Sequence, residues 1–468
     1  MRKILKRIFE VNRMLTPAQN NGELEPSVHY YKNMYQMAWP SALEAVLVSL
    51  IGSVDLIMVG GLGTASIAAV AITNQPKFIL LAMIFSLNVG VTAIAARRRG
   101  SDDEMGANRC LRQSLIISLV MSFLMGLIGF IFARPILSFA GADPEFLELA
   151  IQYFQIIMVS IVFTGVSLTI NAAQRGAGNT KISMKTNLIA NAVNLVLNYF
   201  LINGIWIFPK LGVRGAAIAT AVGSLVGCAM SIKSVLNKGQ FLSMAHKVSW
   251  KFDKKTMKAI ISISGSAMVE QVFMRIGFFA YAKIVAGLGT VAFATHQICM
   301  NIINLSFSIG DGLGIASSSL VGQSLGKKRP DEAIVYGKTG QRIAFLVSTV
   351  LFFIFLFGGK FLVSLFSKDE QILALGAIIM IIIAFCTHAQ TSQVVVSGCL
   401  RGAGDTKFVA LTSLLSIGLL RPILTYILCF PVGLGLVGAW VALFVDQMLR
   451  LLLSFKRFSG GKWTKIDI

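Results

Sequence analysis

Acidic residues are scarce: 21 Asp and Glu stand against 42 Lys and Arg in 468 residues, and charged residues make up only 13% of the chain. Soluble domains carry nearer a quarter, so an ordinary water-soluble globule is excluded. Histidine is rarer still, with four in all. No His-Glu-x-x-His stretch occurs and no hydrolase nucleophile elbow is expected, which argues against an intramembrane enzyme. The six cysteines (Cys110, Cys228, Cys299, Cys386, Cys399 and Cys429) form no Cys-x-x-Cys pair and have no histidines at zinc spacing. All but Cys110 fall in apolar stretches and read as small packing residues. No segment fits Gly-x-x-x-x-Gly-Lys-Ser/Thr, so a Walker-type phosphate cradle is absent.

What is abundant is apolar length. Hydrophobic residues are 55% of the chain and mean hydropathy is +0.74. Runs of about 20 apolar residues, the length a bilayer-crossing helix needs, recur throughout. Reading them between polar breaks gives twelve segments, at 35–59, 66–96, 113–132, 145–173, 186–208, 215–236, 259–286, 289–325, 343–359, 371–400, 408–431 and 436–455. The fold class is therefore an all-α polytopic membrane protein. The start, "MRKILKRIFEVNRML", is basic and amphipathic without the apolar core of a cleaved signal, and reads as an interfacial arm within residues 1–33.

The formal charge of +21 raises nucleic acid as a partner, but its placement argues otherwise. With an even number of spans and the N-terminus inside, 33 Lys and Arg fall in stretches on the cytoplasmic side (1–33, 97–112, 174–185, 233–258, 326–342, 401–407 and 450–468). Five (Arg134, Lys210, Arg214, Lys360 and Lys368) fall outside, and four (Lys77, Arg275, Lys283 and Arg421) within spans. That asymmetry is the positive-inside rule. No nucleic-acid partner is expected; the partner is the lipid bilayer, with both termini cytoplasmic.

The chain repeats itself. "RGAGNTK" at Arg175 returns as "RGAGDTK" at Arg401, 226 residues on, and "GLGTASIAAVAI" at Gly61 returns as "GLGTVAFATHQI" at Gly287 with the same offset. Glu44 maps to Glu270 likewise, and "LGVRGAAIAT" at Leu211 pairs with "LGLVGAWVAL" at Leu434, an offset of 223. Two homologous halves of six helices follow, residues 34–236 and 257–456, joined by a linker at 237–256 and followed by a tail at 457–468. Six is even, so both halves enter from the same side. The two RGAG[ND]TK loops are then equivalent corners. Glycine permits the tight turn, Asn/Asp-Thr is expected to cap the next helix, and Arg and Lys to hold the corner at the cytoplasmic face.

With "VDLIMVGGLG" in the first helix, "AKIVAGLGTVAFATHQI" across the seventh and eighth, "LVGQSLG" closing the eighth and the paired RGAG[ND]TK loops, the sequence resembles the multidrug and toxic compound extrusion (MATE) family over roughly residues 34–455. The resemblance implies twelve helices in two pseudo-symmetric lobes around a central cavity. It implies export of cationic, amphiphilic compounds in exchange for H⁺ or Na⁺ by alternating access, and a monomer in the plasma (inner) membrane with no cofactor beyond the coupling ion.

Ionisable groups deep in apolar spans are costly and are functional candidates by default. Asp55, in "GSVDLIMVG", matches the acidic residue of the family's first helix; a carboxylate there can load a proton or hold Na⁺. Glu44, eleven residues earlier on the same helix face, reads either as a second station for the proton or as a solvated interfacial group. Asn191, Asn194 and Asn198 lie at i, i+3 and i+7 of "NLIANAVNLVLNYF", one polar stripe that serves ion binding or interhelical hydrogen bonding. The resemblance places Asn194, Asn198 and Thr220 at positions of the family's N-lobe cation site, so Na⁺ at Asp55, Asn194 and Asn198 is a candidate; no other metal site is expected. One branch of the family carries an acidic pair in its C-lobe; here those positions hold Met274 and Gln390. Glu270, one turn from Met274, inherits the role only weakly, and the coupling expectation moves to the N-lobe. Asp311, among Gly and Ser, is a secondary cavity candidate. Asp446, four residues before Arg450, reads as a helix-end ion pair. His296 and His388 read as packing residues that hydrogen-bond. The alternative on the same architecture is a flippase for lipid-linked oligosaccharide or peptidoglycan precursors, which would call for several cationic side chains facing a diphosphate.

Overall fold

A computed structural model describes residues 10–468 apart from 206, 207, 238 and 247. Among the described residues there is no strand, and twelve long helices carry the chain. In chain order they are α1 (Ser27–Gly60), α2 (Thr64–Gly100), α3 (Glu104–Ile131), α4 (Pro144–Gly176), α5 (Thr180–Asn203) and α6 (Val213–Ser234). The second six are α7 (Lys254–Ala286), α8 (Thr290–Gly326), α9 (Pro330–Ser364), α10 (Glu370–Gly402), α11 (Thr406–Cys429) and α12 (Gly435–Ser459). Among the described residues ten helices are long and apolar enough to cross a membrane. Helix α5 falls short because Asn187, Asn191, Asn194 and Asn198 interrupt its apolar run.

Helix ends follow local chemistry. Asp103 caps α3 by accepting from the Gly106 amide at 2.8 Å, and Asp369 caps α10 by accepting from Gln371 and Ile372. Helices α3 and α9 begin nine and thirteen residues before their apolar runs, at Glu104 and Pro330. These polar first turns are stabilised by acidic residues near the positive end of the helix dipole and, in α9, by proline at its first position.

The chain divides into two compact units. One is Leu43–Met268, here the N-terminal unit; the other joins the segment up to Ala42 with Val269–Ile468, here the C-terminal unit. Helices α1 and α7 are thus each shared between units. Within the N-terminal unit α4 packs on α2, α3 and α6, and α5 on α6; within the C-terminal unit α10 packs on α8, α9 and α12, and α11 on α12. The pairings repeat, as the internal repeat requires. Close approach in the second unit depends on missing side chains: a Cβ on Gly402 would stand 2.0 Å from the Ser318 carbonyl oxygen, and one on Gly398 2.4 Å from that of Gly314.

Of the expected amphipathic arm, residues 1–9 lie outside the described residues. Residues 11–14 and 17–19 are single 3₁₀ turns rather than a continuous amphipathic helix. Val11 and Met14 are buried in the core of the C-terminal unit, and Lys338 donates to the Met14 carbonyl. The linker between halves is held along α3. Arg112, 4% exposed, donates to the carbonyls of Met244 (2.9 Å), His246 (2.6 Å) and Val248. Asn108 exchanges hydrogen bonds with Phe241 and Ser243.

Candidate functional site

The polar centre of the N-terminal unit is built by two parallel registers. Glu44 and Asp55 are eleven residues apart on α1, and Asn187 and Asn198 are eleven apart on α5, so each pair lies about 16 Å apart on one helix face. The two pairs meet level by level. Asn198 Nδ2 donates to Asp55 Oδ1 at 2.7 Å, and Asn187 Nδ2 donates to Glu44 Oε1 at 2.5 Å.

At the Asp55 level, Asn194 lies between the carboxylate and Thr220 of α6. With its carboxamide nitrogen turned to Asp55 it stands 3.0 and 3.2 Å from the two carboxylate oxygens, and its oxygen is 3.1 Å from Thr220 Oγ1; turned the other way, its nitrogen donates to that hydroxyl. The first orientation satisfies both ends of the amide, because its oxygen also accepts from the Thr220 backbone N–H at 3.0 Å. Asn198 Oδ1 is buried with no donor among the described residues. A buried acceptor of that kind costs free energy unless a donor or cation satisfies it. Asp55, Thr164, Ser167, Asn187, Asn191, Asn194, Thr220 and Ser224 line a cavity of about 170 Å³, completed by the apolar Leu168 and Ala190 and by Gly223 and Gly227, which present no side chain. Asn191 lines this cavity but donates to the Asn187 carbonyl rather than to Asp55. Tyr153 of α4, 7% exposed, and Lys77 of α2 both lie within electrostatic reach of Asp55.

Glu44 is neither solvated nor in contact with Asp55. Its side chain is 12% exposed, takes a hydrogen bond from Ser183 Oγ (3.2 Å) besides Asn187, and stands 3.6 Å from Arg175. Glu270 repeats the arrangement in the C-terminal unit: Arg401 donates at 2.5 Å and Ser413 at 3.3 Å. Ser413 is 226 residues after Asn187, so all three members of each set share the repeat offset. The two RGAG[ND]TK corners thus hold the glutamate of their own unit's first helix. Gly178 (φ 95°) and Gly404 (φ 89°) make the turn as expected. The expected caps do not form. Asn179 donates to Gln174 Oε1, and Asp405 accepts from Arg457, so both side chains serve other partners.

Among the remaining candidates, Asp311 lies within electrostatic reach of Arg401, the partner of Glu270. Gln390 is fully buried and accepts from Ser306 at 3.4 Å, and no hydrogen bond among the described residues joins it to Glu270. Asp311 is exposed on α8. His296 packs among Tyr281, Phe293 and Trp440, and His388 pairs with Thr349. Asp446 is no helix-end pair. It is fully buried in mid-α12, and Arg421 of α11 is its principal partner; Arg450 stands on its other side at 3.7 Å. All six cysteines are buried and free. Gly322–Gly326 does fit Gly-x-Ser-x-Gly, but Ser324 is buried within α8 and donates to the Leu320 carbonyl, so no nucleophile elbow exists. Sequence alone offered no signal for Tyr153, Thr164 or Ser167. Asn187 was within reach, since it extends the asparagine stripe one turn back.

The MatE family profile matches residues 40–200 and 266–427. The chain is 26% identical to a probable multidrug resistance protein NorM of Thermotoga maritima, over 93% of each chain. It is 26% identical to multidrug resistance protein PmpM of Pseudomonas aeruginosa, over 82% of this chain and 80% of that one, and 24% identical to the uncharacterized transporter YisQ of Bacillus subtilis. A solved structure described as the outward-facing conformation of a multidrug resistance MATE family transporter superposes over 92% of this chain and 97% of its own, with TM-score 0.85 at 22% identity. A superfamily transporter from Pyrococcus furiosus superposes equally well, at 21% identity. Two matched segments, one per half and each spanning a glutamate–arginine corner, make this chain a membrane transporter of the MatE family rather than an enzyme.

Proposed function

We propose that the protein is a secondary active antiporter that exports cationic, amphiphilic compounds in exchange for H⁺ or Na⁺, with the ion taken up at Asp55. The observation that carries this reading is the Asp55–Asn198–Asn194–Thr220 cluster opening on a 170 Å³ polar cavity, with Asn198 Oδ1 buried and unsatisfied beside the carboxylate. A proton on Asp55 gives that oxygen a donor; a Na⁺ finds hard oxygen ligands in Asp55, Asn198, Thr220 and the oxygen face of Asn194. Either ion neutralises Asp55 and weakens its hold on the α5 amides, so α1 and α5 rearrange when the ion arrives. Transport is coupled to the extent that ion and substrate prefer opposite arrangements.

The multidrug resistance relatives named above support drug-like substrates, and their cationic, amphiphilic character is what the family resemblance implies. The distribution of Lys and Arg supports an inner-membrane orientation with both termini cytoplasmic. No observation favours the flippase alternative: Arg421, the most buried intramembrane cation it would use, is engaged by Asp446.

The test is efflux of a fluorescent cationic dye from proteoliposomes, wild type beside Asp55→Asn, under a pH gradient and separately under a Na⁺ gradient. One gradient is expected to drive wild-type efflux, and Asp55→Asn to abolish it. Normal dye transport by Asp55→Asn would sink the reading.

A further inference from the structure

The repeat that builds the two units also aligns their sequences residue by residue, and at the positions of the N-terminal cavity the two have opposite contents. At the 223-residue offset of the last helix in each half, the cavity-lining Gly223, Ser224 and Gly227 of α6 become Asp446, Gln447 and Arg450 of α12. Thr220 becomes Leu443. At the 226-residue offset of the first helix, Asp55 becomes Tyr281. Small residues that leave space in one unit are thus replaced by large, polar and charged ones in the other.

The space is taken by Arg421. Its guanidinium donates to Asp446 Oδ2 through Nε at 3.0 Å and through a second nitrogen, lies 5.0 Å over the Phe278 ring and 5.8 Å over that of Tyr281, and is 1% exposed. Tyr281, where the first unit has its carboxylate, turns its hydroxyl to the Ala439 carbonyl and its ring face to this cation. The helix delivers Arg421 by a local irregularity. Residues Leu414–Leu420 form a π-helical turn directly before Arg421, where α5 runs as regular α-helix through the matching stretch. Pro422 supplies the cause, because its ring and missing N–H disfavour the regular turn before it.

We propose that the Arg421 guanidinium is a tethered cation: it permanently fills, in the C-terminal unit, the place that the N-terminal unit keeps open for an exchangeable ion, so the transporter takes up one coupling ion per cycle, at Asp55. The inference rests on the antiport reading given above. A diffusible cation reaching Asp446 meets a carboxylate already flanked by two guanidinia, Arg421 and Arg450 at 3.7 Å, and is repelled. Asp446 is a positioning residue here: it holds the internal cation and touches no transported species.

Two measurements test this. The first is thermal stability in detergent with methylguanidinium chloride, against KCl at equal ionic strength. Arg421→Ala, which leaves the void and the carboxylate, is expected to gain a saturable rise of several degrees that wild type lacks. Arg421→Ala/Asp446→Asn, which keeps the void but loses the anchor, is expected to lose that rise. No saturable rise in Arg421→Ala, or an equal one in the double variant, overturns the proposal. The second uses the charge-balanced pair Arg421→Met/Asp446→Asn, which removes one charge of each sign and leaves Arg450 its hydrogen bond to Gln447 (2.8 Å). The ion-to-dye stoichiometry, read from the reversal potential in proteoliposomes, is expected to be one in wild type and in this variant. A stoichiometry of two in wild type overturns the single-site conclusion. If wild type shows no ion-driven flux, the antiport reading of Asp55 fails, while the methylguanidinium result still decides whether Arg421 occupies a cation site.

Discussion

Glu270→Gln, Arg401→Met and their combination form a double-mutant cycle on the tighter of the two glutamate–arginine corners. The Glu270 side chain is 3% exposed and the Arg401 side chain 29%, with 2.5 Å between donor and acceptor. Arg401→Met leaves a buried carboxylate with only the Ser413 hydroxyl at 3.3 Å, and removing one partner of a buried pair costs about 3–5 kcal/mol. Glu270→Gln is milder, about 1–2 kcal/mol, because Arg401 is partly exposed and keeps Asp311 within electrostatic reach. Removing both charges resembles the milder single change, since swapping a whole buried pair for neutral groups is often close to neutral. The coupling energy is then about 3–5 kcal/mol. At roughly 2–4 °C per kcal/mol for units of this size, Arg401→Met lowers Tm by about 6–20 °C, and adding Glu270→Gln restores about half or more of the loss. The matching cycle at Glu44–Arg175 is expected to show less than about 1 kcal/mol, because the ions are 3.6 Å apart and Asn187 holds Glu44 independently at 2.5 Å. The assay is thermal unfolding in detergent followed by fluorescence. If the Glu270 and Arg401 losses add, within about 0.5 kcal/mol, the corner is not held by this pair. Equal coupling in both units would refute the ranking by distance.

Arg112→Ala removes the donor for three linker carbonyls, so limited trypsin digestion between residues 237 and 255 is expected to speed up several-fold while the helical units stay intact on a gel. Gly402→Ala places a Cβ 2.0 Å from the Ser318 carbonyl oxygen, a backbone atom that cannot swing aside. Helices α8 and α10 must separate, and a loss of about 1–3 kcal/mol, seen as a lower Tm, is the expected outcome.

Much of the architecture was legible because membrane helices write themselves into composition. Apolar runs, polar breaks and the 226-residue echo located all twelve helices, and the polar N-terminal ends were missed, by five to thirteen residues in α1, α3, α5, α7 and α9, where capping and dipole effects prolong a helix past its apolar run. The carboxylates were legible for a related reason: an acid among apolar residues stands out. Their partners were harder to read. Asp55 and Asn198 are 143 residues apart and meet because α1 and α5 run side by side in register. Glu44 read equally well as a solvated group, since nothing near it in sequence announces Arg175, Asn187 and Ser183. The RGAG[ND]TK loops looked like capped corners; that their arginines reach the first helix of each unit emerged only from packing.

By itself the sequence determined the all-α membrane class, the duplication and the identity of the acids. These follow from hydropathy, periodicity and repetition, which are local or one-dimensional properties of the chain. Tertiary structure decided which acid is ion-paired and which borders an open cavity. Glu44, Glu270 and Asp446 each meet an arginine, whereas Asp55 meets amides and space. That difference depends on which helices share a face and on whether α6 presents glycines where α12 presents an aspartate and an arginine. Contacts of that kind are set by side-chain packing between distant segments.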